Sequence, residues 1–106
     1  SLAGLTDAMS RVDGTVRFDM DFSRQTFRGN LDFDANDAHW NADVAGKVAP
    51  DGFVSDTIQA TQTSEVKEIG GHLDGAFYGP DAEAIGGRFG LTSPTHGTVA
   101  GVFGAT

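Results

Sequence analysis

This sequence predicts an all-β fold, a small antiparallel up-and-down barrel of about eight strands. Three observations carry that reading. Apolar and polar residues alternate with period two through most of the chain. Turn-forming residues interrupt the alternation at short, regular intervals. The pattern apolar-x-Gly-x-apolar recurs five times, at Phe27 to Leu31, Val44 to Val48, Leu73 to Phe77, Ile85 to Phe89 and Val99 to Phe103.

In order along the chain, "GTVRFDMDF" puts Val16, Phe18, Met20 and Phe22 on one face and Thr15, Arg17, Asp19 and Asp21 on the other, a half-buried antiparallel strand. Ser23, Arg24 and Gln25 make the hairpin turn. "TFRGNLDFD" then points Phe27, Gly29, Leu31 and Phe33 inward, and "AND" turns the chain. "AHWNADVAGKV" aligns Trp40, Ala42, Val44, Gly46 and Val48, and Pro50, Asp51 and Gly52 form the next turn. "FVSDTIQAT" is a strand whose register the alternation does not set. "QTSEVKEIGG" is a polar connection with room for one helical turn. "HLDGAFYG", "AIGGRFGLT" and "GTVAGVFGA" complete seven strands. The first residues fit an eighth strand, a short helix or a tail. The domain reading is therefore 1–13 as N-terminal tail or short helix and 14–106 as a single barrel.

The recurrent glycines argue for a barrel over a flat sandwich. By period two, Gly29, Gly46, Gly75, Gly87 and Gly101 share a face with their bulky neighbours. Glycine inside a strand is destabilising unless it permits a bend or a close approach. A small closed barrel needs both, because its interior is filled by alternating large and small side chains.

Composition sets the outer limits. A chain of 106 residues holds one core. With 39% hydrophobic residues and eight Phe, that core is modest and aromatic. No apolar run is long enough for a membrane helix. "SLAGLTDAMS" lacks the basic and apolar regions of a signal peptide, which says nothing about where a parent chain goes. The net charge of −8 argues against nucleic acid and anionic membrane surfaces, and no membrane insertion of this domain is expected. The absence of cysteine excludes disulfides, thiolate catalysis and Cys-ligated metals.

"GHLDGAFYGPDAEAIGGRFGL" with the closing "AGVFGA" resembles the C-terminal β-barrel domain of the transferrin-binding protein B family. This group of bacterial surface lipoproteins includes the factor H-binding protein and hemophilin-type haem carriers. Its pattern runs Gly-x-Phe-Tyr-Gly-Pro-x-Ala-x-Glu-x-Gly-Gly-x-Phe. Gly75, Phe77, Tyr78, Gly79, Pro80, Ala82, Gly86, Gly87 and Phe89 match it, as do Val102, Phe103, Gly104 and Ala105 at the end. Glu83 stands one place earlier than the family glutamate. The resemblance covers roughly residues 14 to 106. It implies a binding or scaffold barrel of a secreted or surface-exposed bacterial protein, located at the cell surface or outer membrane. A protein partner is implied, with iron acquisition as the setting. The alternatives it carries are a haem or small-ligand carrier and a structural module recognised by an outer-membrane translocator.

Candidate chemistry is sparse. By analogy with haem-binding relatives, His39, His72 and His96 are candidate ligands, though solvated surface histidines are the commoner case. No cofactor is expected unless it is haem. Trp40 and Tyr78 are candidates for an exposed aromatic patch. "DFDAND" (Asp32, Asp34, Asn36, Asp37) resembles the start of a calcium loop but lacks its glycine and its bidentate glutamate, so a turn is expected. Asp19, Asp21, Asp32, Asp34 and Asp43 can share the outer face, usually a solvated arrangement. No nucleophile elbow or phosphate loop occurs, so no enzyme is expected and no catalytic residue is named.

Overall fold

A computed structural model of the chain describes residues 2–6, 11–79 and 84–105. Eight strands follow in order: β1 (Leu2–Thr6), β2 (Arg11–Asp21), β3 (Thr26–Ala35), β4 (Ala38–Ala49), β5 (Gly52–Ala60), β6 (Gly70–Tyr78), β7 (Ala84–Ser93) and β8 (Gly97–Ala105). Each pairs antiparallel with its neighbours, and β1 pairs with β8 to close the barrel. The up-and-down topology and the inward glycines agree with the expectation from sequence.

The interior is built on a cross-strand rule. Six of the eight phenylalanines stand opposite a glycine: Phe18 and Gly29, Phe33 and Gly14, Phe27 and Gly46, Phe53 and Gly75, Phe103 and Gly87, Phe89 and Gly101. An eight-stranded barrel encloses only enough room for its own side chains. A ring from one strand therefore occupies the space that the residue opposite would have used. A Cβ on Gly29 would lie 2.6 Å from the Phe18 ring, and one on Gly87 would lie 2.7 Å from Phe103 Cζ. At one end of the core Phe18, Phe27, Phe53 and Phe103 pack with ring centroids 5.0 to 6.2 Å apart. At the other, Trp40 stacks on Phe33 at 5.6 Å.

Two tight turns explain themselves locally. Asn36 and Asp37 both take positive φ, 52° and 62°, between the paired residues Ala35 and Ala38. That is the two-residue hairpin geometry that Asn and Asp tolerate and that matches strand twist. In the 22–25 turn the Asp21 carboxylate accepts from Ser23 Oγ (2.8 Å) and Arg24 N (3.0 Å). These bonds hold its pKa below the usual carboxylate value, the Ser23 hydroxyl contributing most.

Three expectations are corrected. Leu2–Thr6 is neither tail nor helix but a strand, and Arg11 to Asp13 belong to β2, so no boundary falls at residue 13. The reason is an inverted pattern. The inward positions of β1 hold Gly4, whose backbone lies against Ala100 and Gly101, and the buried Thr6, while Leu5 faces out. Phe22 leaves the strand and is exposed at the turn, its ring 5.4 Å from that of Phe77. The 61–69 connection contains no helical turn and is not wholly polar in role: Ser64, Val66 and Ile69 are buried, and both apolar residues join the core. Of the family motif, Gly79 takes φ 90° after β6, whereas Pro80, Ala82 and Glu83 lie outside the described residues.

Candidate functional site

The polar features cluster where the 61–66 segment runs beside β4. Thr61 N donates to Asn41 O (2.9 Å), and Glu65 N donates to His39 O (2.8 Å). The segment thus continues the β4 ladder after β5 has ended. Ser64 Oγ accepts from Asn41 N (3.1 Å) and donates to Val66 O (2.7 Å), so this buried hydroxyl is spent on backbone. Asn41 Oδ1 accepts from Thr61 Oγ1 (2.6 Å) and from Asn30 Nδ2 (3.0 Å), and Asn30 Nδ2 also reaches Asp43 Oδ1 (3.0 Å).

His39 sits at the edge of this network, half-buried on the outer face. Its Nε2 lies 2.9 Å from Asp32 Oδ1 and its Nδ1 lies 2.8 Å from Asp34 Oδ1. Its backbone N donates to Glu65 Oε1 (2.8 Å). Carboxylates accept and do not donate, so both bonds are complete only when both ring nitrogens carry protons. The hydrogen bond to Asp34 raises the His39 pKa above the ordinary imidazole value. Partial burial opposes the shift, and the charges of Asp32, Asp34 and Glu65 reinforce it. Two of the outer-face aspartates foreseen as a solvated cluster are therefore engaged with a histidine.

The other candidates do not join it. His72 lies exposed on β6, its Cε1 within 3.5 Å of where a Cβ on Gly90 would stand. His96 lies in the turn between β7 and β8, with Nδ1 2.8 Å from Thr95 Oγ1 and its carbonyl accepting from Asn36 Nδ2 (2.6 Å). Among the described residues no group of three His, Cys, Asp or Glu side chains could hold a metal ion. Trp40 is 0% exposed and its Nε1 donates to Ala35 O (2.9 Å). The expected aromatic patch therefore loses its tryptophan to the core, where the ring fills the barrel and its one donor is satisfied. Tyr78 is 56% exposed at the end of β6, with its ring over Gly86. Val102 (60%) and Tyr78 border one shallow cleft on the outer face of β6, β7 and β8.

Sequence reading missed the cover formed by residues 61–66 and the carboxylate clamp on His39. The clamp had a trace in sequence: a hairpin over Asn36-Asp37 sets Asp34 opposite His39 and Asp32 opposite Asn41. On a twisted outer face that places a carboxylate on either side of the imidazole.

The barrel is closed with a packed interior, and its buried side-chain polar atoms all have partners among the described residues. The chain belongs to the family of the C-lobe and N-lobe β-barrels of Tf-binding protein B, whose family model matches residues 4–106. That span begins within β1, earlier than the resemblance in sequence reached. Among solved structures, the chain is similar to transferrin-binding protein B from Haemophilus parasuis Hp5, a vaccine antigen crystallised as a tryptophan-to-alanine mutant. The TM-score is 0.61 at 25% identity. The similarity covers 99% of this chain and 24% of that one, so the chain spans about a quarter of the length of that relative. No curated protein matches the chain.

Proposed function

We propose that this domain is a non-enzymatic protein-binding barrel of a surface-exposed bacterial protein, with a transferrin-type iron carrier as the first partner to test. The family match over residues 4–106 carries the reading. Three features of the domain support it. The interior is occupied by aromatic side chains, which favours binding on the outside. The outer face offers exposed Tyr78 and Val102 as apolar contacts. Both ring nitrogens of His39 are held by carboxylates and the Ser64 hydroxyl by backbone, so neither is poised for proton transfer to a substrate.

The test is surface plasmon resonance of the immobilised domain against iron-loaded and iron-free transferrin, with the Tyr78→Ala, Val102→Ser double variant as control. Saturable binding that the double variant weakens supports the reading. No binding to either form, together with failed export of a parent chain lacking the domain, would replace it with a secretion-module role.

A further inference from the structure

The barrel is closed unevenly. β5 pairs with β4 along its whole length, from Ala60 and Ala42 to Gly52 and Ala49, and β6 and β7 pair from Gly70 and Thr92 to Tyr78 and Ala84. Between β5 and β6 only Gly52, Phe53 and Val54 find partners, in Ala76, Gly75 and Asp74. The cause is a bulge. Ala45 pairs with Thr57 and Gly46 with Ser55, which leaves Asp56 as an extra residue in β5. A bulge bends its strand and strengthens the local twist. At that point the ladder changes character: Leu73 N donates to the Ser55 side chain (2.9 Å) in place of a backbone carbonyl. Beyond it, Asp56 to Ala60 have β4 on one side and no strand on the other among the described residues.

Space lies beside this open edge. A cleft of about 500 Å³ lies between Ile58 and Gln59 on one side and the 67–70 segment, Thr92 and Pro94 on the other. The stretch itself lacks the usual protection, with Lys67 and Pro94 standing across the cleft from it. Sheet edges are normally guarded by lysines, prolines or a covering element, because their unpaired backbone groups template another strand. Thr57, Ile58, Gln59 and Ala60 include no charge, no proline and no glycine, and Thr and Ile are good strand formers. The charges that frame the stretch are mainly acidic, Asp56 before it and Glu68 after it, with Glu65 turned to His39 N and the single cation Lys67 at the cleft. The nearby Lys67 Nζ is turned to Gln62 O (3.2 Å).

We propose that the free edge of β5 takes an extended segment of a partner protein as an added antiparallel strand, with basic residues flanking that segment facing Asp56 and Glu68. Backbone pairing supplies the affinity and the acidic frame selects the partner. A second copy of the chain fits less well, since each copy brings a net charge of −8. This inference rests on the protein-binding reading and gives it a place and a chemistry.

The experiment is an amide NMR titration of the domain with the peptide Lys-Thr-Val-Thr-Val-Thr-Lys and with its counterpart bearing glutamate at both ends. The basic peptide is expected to shift the amides of Ser55 to Ala60 and Gly70 to His72 and to protect β5 amides from exchange. The acidic peptide should bind about tenfold more weakly. Thr57→Lys with Gln59→Lys, both at exposed positions, should abolish the effect while the rest of the spectrum stays folded. No shift in β5, equal binding of both peptides, or unchanged binding by the lysine variant would overturn the proposal. So would a self-association, seen by sedimentation, that the lysines remove, since it would give the edge to a second copy. Transferrin binding that survives the lysine variant would overturn the seam alone and leave the protein-binding reading standing.

Discussion

Gly75→Val tests the packing rule of the barrel directly. Gly75 faces Phe53 across one seam and Gly87 across the other. A Cβ at this position would overlap the tip of the Phe53 ring and stand 2.8 Å from the Gly86 carbonyl oxygen. The ring is buried among other rings and the oxygen is backbone, so neither can move aside freely. Overpacking a filled core destabilises by roughly 1–3 kcal/mol. Because valine adds two methyls beyond the clashing Cβ, about 3 kcal/mol is expected. In a domain of this size about 1 kcal/mol moves Tm by roughly 4–8 °C, so a fall on the order of 15 °C follows. Gly70→Ala is the internal control: nothing lies within 4 Å of its added Cβ, and Tm should hold or rise slightly. The assay is thermal unfolding followed by near-ultraviolet circular dichroism. Equal melting temperatures for Gly75→Val and the parent would refute the rule. Partial recovery on adding Phe53→Leu would localise the clash to the ring.

Three further outcomes follow from named contacts. His39 has a raised pKa in the fold, so its stabilisation is fully present below the unfolded value of about 6.5 and is lost as pH rises through the folded value. The Tm advantage of the parent over His39→Gln should therefore shrink from about pH 6 towards about pH 8.5, and a constant gap would refute the clamp. Trp40→Ala should destabilise by about 3–5 kcal/mol, and parent tryptophan fluorescence should resist iodide quenching. Strong quenching would place the indole outside. Haemin titration should yield no saturable Soret band, because both His39 nitrogens are engaged and His72 and His96 lie on separate elements. A saturable band abolished by His72→Ala or His96→Ala would support a haem carrier instead.

The strand order, the hairpin turns and the inward glycines were readable from sequence because each is a local matter of period two and turn chemistry. Val16, Phe18 and Met20 face inward, as alternation requires. The failure at β1 has a tertiary cause. β1 is held by its neighbours on both sides, so its inward positions carry Gly4 and Thr6 and its local pattern is inverted. Trp40 is core, as its alignment with Ala42, Val44 and Val48 requires, and only its candidacy for an exposed aromatic patch fails.

Alternation and glycine spacing, written along one strand at a time, are enough to specify a barrel and the inward residues of its clearly alternating strands, but not Val12, Val66 or Ile69. Only the tertiary structure decided where its surface is special. The clamp on His39 needs β3 set against β4, the buried Ser64 needs the 61–66 segment laid on β4, and the open edge of β5 needs a bulge that turns it from β6. These are relations between strands, fixed by register and twist, and no single stretch of chain contains them.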